Sequence, residues 1–177
     1  MIIIGNGLIM SKLQYCTSIF GNIYYKDEER CSDSNGMKRL QKSQNDYLRI
    51  LTGTRLKDHI PIETLLRETN LLSINQLVGK HLLMDTWRIK QNNVEPINQW
   101  ISFNRVHENL RSSSKNHIES SLSHGKSFPK KAEKIWNNKY LDSDFRFTSD
   151  KNTAKRIANK FAKEQLPRIP WKKHNQD

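Results

Sequence analysis

Apolar side chains at Met37, Leu40, Tyr47, Leu48 and Leu51 recur at helical spacing, and this run limits the fold more than any other. It predicts a helix over Met37–Leu51, with Gly53 just past its end, where a left-handed residue commonly stops a helix. At about 100° per residue, Lys38, Lys42, Asn45 and Arg49 form a stripe on the opposite side. Pro61 suits the first turn of a short helix over Ile62–Glu68, with Ile62, Leu65 and Leu66 as its apolar side. Ser73-Ile74-Asn75-Gln76 is a capping-box pattern. The helix it opens runs through Leu77, His81, Leu82, Met84 and Trp87 to about Lys90, and Asn92-Asn93 and Pro96 end it. Ser127 caps a helix from Phe128 to Trp136, with Pro129 in its first turn. Ser149 or Asp150 caps a last helix reaching Gln165, with Ala154, Ile157, Ala158 and Phe161 on its apolar face, closed by Leu166-Pro167. A further helix is expected from Leu8 to Phe20, and Ile97–Phe103 fits either a strand or a helix.

The 177 residues suit one domain, or one domain with a small appendage. Hydrophobic residues make up 35%, below the usual share, and the mean hydropathy is -0.80, so the core is expected to be thin. Asp27–Gly36 is a loop by composition. Arg105–Lys126, rich in Ser, Asn and His, reads as a flexible linker or a segment that orders on a partner. The expectation is a mainly α chain of four to six helices in an irregular bundle without a dominant sheet. Its parts are a helical region over 1–104, a polar, basic linker over 105–126 and a small basic helical part over 127–177. No repeat of 20 to 50 residues marks a solenoid.

Only Cys16 and Cys31 are present, and no Cys-x-x-Cys occurs, which excludes a disulfide framework and points to a reducing, intracellular compartment, nuclear or cytoplasmic. The six histidines are scattered without a His-x-x-x-His pair, so neither a structural metal nor a cofactor is expected. Glu133, Asp142 and Asp144 lack the glycine and distal glutamate of a calcium loop and read as loop and capping acids. His81 has no nucleophile arranged with it and reads as a core or edge histidine. Ile2-Ile3-Ile4 is too short for a membrane span, which needs about 20 apolar residues, and lacks the basic leader of a signal peptide. It reads as a core segment, and no membrane partner is expected.

The charge is strongly positive, with 30 Lys and Arg against 18 Asp and Glu, a net +12. It is also uneven: 13 against 10 up to Asn104, then 17 against 8 from Arg105 onward. Such an excess favours polyanions through release of counterions from a phosphate backbone; the bland alternative is a solvated Lys-rich surface. Two candidate faces follow. Lys38, Lys42, Asn45 and Arg49 lie on the first helix, and Arg156, Lys160 and Lys163 form a basic row on the last. Contacts of this type position a nucleic acid without reading its sequence. Trp87, Trp100 and Trp136 are all candidates for stacking on unpaired bases, with core favoured for Trp87 and Trp136 from their spacing beside Leu and Ile. Trp171, among Lys172, Lys173 and His174, is the better candidate for an exposed aromatic, in a tail.

Several segments, in order, resemble the C-terminal part of reverse transcriptases from non-LTR (LINE-type) retrotransposons, the thumb and the region beyond it. They are Lys12-Leu13-Gln14-Tyr15, Leu40-Gln41-Lys42-Ser43-Gln44-Asn45, Leu48-Arg49-Ile50-Leu51-Thr52-Gly53, Leu72-Ser73-Ile74-Asn75-Gln76-Leu77 and Trp87-Arg88. Ser127-Phe128, Ala132, Ile135-Trp136-Asn137, Ala154-Lys155 and Leu166-Pro167 complete the series. The resemblance implies an RNA-directed DNA polymerase parent. Polymerases hold two metal ions with closely placed carboxylates; no Asp-Asp dipeptide occurs here, and the family's fingers and palm have no counterpart. The expectation is therefore a non-catalytic chain that binds RNA or DNA nonspecifically and salt-sensitively. The alternatives are a helical module docking on a reverse-transcriptase palm or another protein chain, or a relic without selected function.

Overall fold

The computed structural model describes residues 11, 17–21, 23–25, 35–95, 97–103, 117–121 and 127–168. Among these the chain is mainly α, with six helices and one two-stranded sheet. The helices are α1 (Asn35–Thr52), α2 (Ile62–Glu68), α3 (Ile74–Asn92), α4 (Phe128–Trp136), α5 (Ser143–Phe147) and α6 (Lys151–Gln165). A single helical turn lies at Thr17–Phe20, and 3-10 turns at Leu56–Asp58 and Ile97–Gln99. Strands β1 (Ile101–Phe103) and β2 (Ile118–Ser120) pair antiparallel, Ile101 opposite Ser120 and Phe103 opposite Ile118. Apart from Ser11 and its last turn, the helix expected from Leu8 lies outside the described residues. So do Ile2-Ile3-Ile4, Cys16, Cys31 and Trp171.

The helix ends follow the local signals. α1 stops at Gly53, whose φ of +68 is left-handed. The N–H of Thr54 reaches back to the Arg49 carbonyl at 3.0 Å and that of Gly53 to Ile50 at 3.4 Å, a Schellman pair that satisfies two terminal carbonyls. Asn70 beyond α2 and Asn93 beyond α3 are also left-handed, with φ 53 and 49, a conformation asparagine tolerates better than most residues. α3 opens with the reciprocal capping box: Ser73 N–H donates to Gln76 Oε1 at 3.2 Å and Gln76 N–H to Ser73 Oγ at 3.4 Å. Ser127 Oγ accepts from Lys130 N–H at the start of α4.

Asp150 is the residue that caps α6, accepting from the N–H groups of Asn152 and Thr153 at 3.3 and 2.7 Å. Hydrogen bonds from Thr153, side chain and backbone, and from Asn152 hold its carboxyl below the usual range. The folded value lies under the unfolded one, so this stabilisation is present above about pH 3.9 and is lost as pH falls through the folded value. Asp150→Ala is expected to lower Tm at pH 7, with the gap to the parent chain narrowing on acidification; thermal melts at pH 7 and pH 3 check this.

Two sequence expectations change. Asn35 and Gly36, expected in a loop, belong to α1; the rest of that stretch, 27–34, lies outside the described residues. The flexible segment expected over 105–126 contains β2, with Ile118 fully buried. The physical reason is a set of side-chain partners from α4. Asn137 Oδ1 accepts from Ile118 N–H at 3.0 Å while its Nδ2 donates to Ile118 O at 2.8 Å, and Glu133 Oε2 accepts from Ser120 N–H at 3.3 Å. Glu133 and Asn137 are one helical turn apart, so both reach one strand edge. The ambiguity over Ile97–Phe103 resolves into both forms, a 3-10 turn followed by a strand.

The chain divides into two compact units, one containing the described residues of 11–17, 21–78 and 163–168, the other 18–20 and 79–162. The expected boundaries at 104 and 127 both fall inside the second unit. In the first, Met37 and Tyr47 of α1 pack with Tyr24, Leu72, Ile74, Leu77 and Val78, and Leu48 packs with Leu65 and Leu66 of α2. Gly21 permits a close backbone approach: a Cβ there would lie 2.4 Å from Thr17 O and 2.6 Å from Val78 Cγ2.

Beside this core runs a buried amide network. Gln44 Nε2 donates to Leu72 O at 2.7 Å, and Gln41 Nε2 to Gln44 Oε1 at 2.9 Å. Gln41 Oε1 accepts from Ile74 N–H at 3.1 Å, which satisfies an orphan donor at the start of α3. Asn75 Oδ1 accepts from Tyr24 N–H, and its Nδ2 donates to Tyr24 O and Pro167 O, all at 3.0 Å. Gln76 Nε2 donates to Leu166 O at 3.2 Å. Four side-chain amides thus tie α1, the 23–25 segment, the start of α3 and residues 166–167 together, where an unmade bond would cost the full desolvation of each group.

The second unit is built on Trp136. It is fully buried, with Phe103 and Phe145 edge-on at centroid distances of 5.7 and 5.5 Å, a favoured aromatic geometry. Lys90 Nζ lies 5.6 Å from its ring centroid. Ile101, Ile118, Ile135, Phe145 and Ala158 are fully or almost fully buried in the same unit. Trp87, also buried, donates Nε1–H to Thr148 O at 2.9 Å.

Candidate nucleic-acid interface

α1 owes its two faces to its sequence pattern. Met37, Gln41, Gln44, Tyr47 and Leu48 are buried, which turns Lys42 fully outward. The four residues expected on its polar stripe nevertheless separate into different roles. Lys38 is half-buried. Asn45 is half-buried and accepts from Gln41 Nε2 at 2.8 Å. Arg49 directs its guanidinium at the carbonyls of Arg55 and Ile60, at 3.2 and 3.4 Å, so it holds the loop after α1. Lys42 is the one of the four that is fully available to a phosphate.

α6 is the stronger face. Ala154, Ile157, Ala158, Phe161 and Ala162 are buried, the four predicted residues and one more. Arg156, Lys160 and Lys163 are exposed and share a stripe. Lys151 and Lys155 are exposed on the same helix, whose only acid is Glu164. Among the described residues no carboxylate forms an ion pair with Arg156 or Lys160. Lys163 donates to Asn70 Oδ1 at 2.8 Å, a contact that fixes its head group within the first unit. At a 1.5 Å rise per residue, Arg156 and Lys160 stand roughly 6 Å apart along the axis, a spacing that suits neighbouring phosphates of a strand.

Three further cations, missed by sequence reasoning, turn inward, Arg146 and Lys131 buried and Lys90 half-buried. Arg146, buried at 9% exposure, donates through Nε and Nη2 to Trp136 O and through Nη2 to Asn138 O, meeting the negative end of α4. Lys90 Nζ donates to Arg146 O, and Lys131 Nζ to Ile19 O at 2.6 Å. Burial lowers the pKa of all three. Nothing in a Lys- and Arg-rich sequence distinguishes such cations from solvated ones, since each is selected by a carbonyl brought near by the fold.

Asp142 takes the capping role read from sequence and His81 an edge position, whereas Glu133 lies within α4 and is neither a loop nor a capping acid. Asp142 Oδ1 accepts from Asp144 N–H at the start of α5, and Glu133 pairs with Lys130 at 2.7 Å. No group of three metal-ligating side chains is present among the described residues. His81 is half-buried; burial lowers its pKa, with Asp85 opposing and Lys80 and Arg88 adding to the effect. No helix of the described residues is long and apolar enough to cross a membrane.

Set beside known proteins, the chain matches no family model, no curated protein and no solved structure.

Proposed function

We propose that this chain is a non-catalytic nucleic-acid-binding piece, akin to the C-terminal part of a non-LTR reverse transcriptase, that holds RNA or DNA by its phosphate backbone. The observation that carries this reading is the outer face of α6, where Arg156 and Lys160 are exposed without a carboxylate partner among the described residues. The mechanism is electrostatic: each cation that meets a phosphate releases condensed counterions, so affinity falls steeply with salt. The parentage rests on the ordered series of motif pieces in the sequence. Three of them, Leu40–Asn45, Leu72–Leu77 and Leu166-Pro167, far apart in sequence, meet in the buried amide network.

The test is a fluorescence-polarisation titration of a short duplex at several salt concentrations. Arg156→Glu with Lys160→Glu is expected to weaken binding and to flatten the log–log salt slope by about 2, roughly one per lost phosphate contact. An unchanged slope would remove α6 from the interface. Lys42→Glu extends the test to α1, whereas Arg49 is unsuited to it because its guanidinium supports Arg55 and Ile60. A second reading, docking on a palm or another protein chain, is favoured by Ile50 and Leu56, apolar yet 69% and 77% exposed in the first unit. Capture of a partner that survives nuclease and high salt would select that reading.

A further inference from the structure

The second unit contains an open cavity of about 430 Å³, within the range of ligand sites. Its walls are Trp100, Phe128, Ile89, Val94 and Ile97, and Asp85 and Arg88 also line it. Trp100 is 42% exposed, unlike Trp87 and Trp136, which the fold uses as core. Asp85 and Arg88 pair at 2.8 Å with side chains 30% and 53% exposed, so this pair stands at the solvent side of the apolar walls.

We propose that this cavity takes an unpaired nucleobase of the bound nucleic acid, stacked on Trp100 with its polar edge turned to Asp85 and Arg88. The inference rests on the nucleic-acid reading above and adds to it a preference for single-stranded over fully paired ligands. Three features favour a base over other occupants. Apolar and aromatic walls suit a π-face and tolerate any base. A carboxylate beside a guanidinium offers an acceptor for exocyclic amino groups and donors for ring nitrogen and carbonyl acceptors, the pairings that recur at base edges. The chain's net charge of +12 complements the strand to which such a base is attached.

The experiment compares a single-stranded oligonucleotide with a blunt duplex of the same length, by polarisation at fixed salt. Trp100→Ala is expected to weaken single-strand binding about tenfold and to leave duplex binding unchanged, with Trp100→Phe recovering most of the loss. Photocrosslinking of the single strand to the unmodified chain is expected to label Trp100, a readout that needs no substitution. Equal effects of Trp100→Ala on both ligands, or no effect on either, overturn the inference while leaving backbone binding in place. Loss of apolar-dye binding in Trp100→Ala with single-strand affinity intact also overturns it, in favour of an apolar protein segment as occupant. Failure of the unmodified chain to bind any nucleic acid would instead overturn the proposed function itself.

Discussion

Trp136→Ala is expected to cost about 3–5 kcal/mol, the range for truncating a large buried aromatic. The side chain has no solvent exposure, so its removal leaves a cavity facing Phe103, Phe145 and the Lys90 ammonium. Those two rings lose their edge-on partner, and Lys90, already disfavoured as a cation by burial, loses the ring that faces its charge. Small domains are stable by only about 5–15 kcal/mol, so the variant should approach unfolding of the second unit at 37 °C. Denaturant titration followed by near-ultraviolet circular dichroism checks this. Trp136→Phe, which keeps an aromatic in the site, should lose visibly less; equal losses would show that ring packing is not what holds this unit.

The second large effect is expected at Asn75, fully buried at the start of α3. Its amide makes three hydrogen bonds, one accepted from Tyr24 N–H and two donated, to Tyr24 O and Pro167 O. Asn75→Ala removes all three, at about 1 kcal/mol or more each, for a loss of about 3 kcal/mol. Asn75→Asp separates polarity from volume. The shape is retained and the bond from Tyr24 N–H survives, but a carboxylate oxygen then faces two carbonyl oxygens. This variant should be at least as damaging at pH 7 and should recover in part on acidification, since a protonated acid can donate again. A pH-independent stability for Asn75→Asp would mean that the network contributes little.

What the sequence made legible was mostly local. Helix starts at Ser73 and Ser127 and the stop at Gly53 follow from side chains that satisfy the backbone of their own turn, so they can be read without the rest of the chain. The apolar faces of α1 and α6 follow from helical periodicity in the same way. Gln41 and Gln44 escaped because a glutamine scores as polar wherever it lies; their burial depends on carbonyls and N–H groups at Leu72 and Ile74, about thirty positions on. β2 escaped because three residues are too few to show a period, and its partners lie on β1 and α4. The candidate interface was half legible. Exposure of Lys42, Arg156 and Lys160 follows from the helix pattern, whereas the engagement of Arg49, Asn45 and Lys163 depends on what the fold places within reach. Arg146, Lys90 and Lys131 carry the same lesson with the sign reversed, as cations that the fold draws inward.

The closure of β2 by Asn137 and Glu133 has a bearing on self-association. A strand whose outward N–H groups are already bonded to side chains cannot template another chain along that margin. Fibre growth through this hairpin, or capture of an extended peptide by strand addition, is thereby confined to the β1 side.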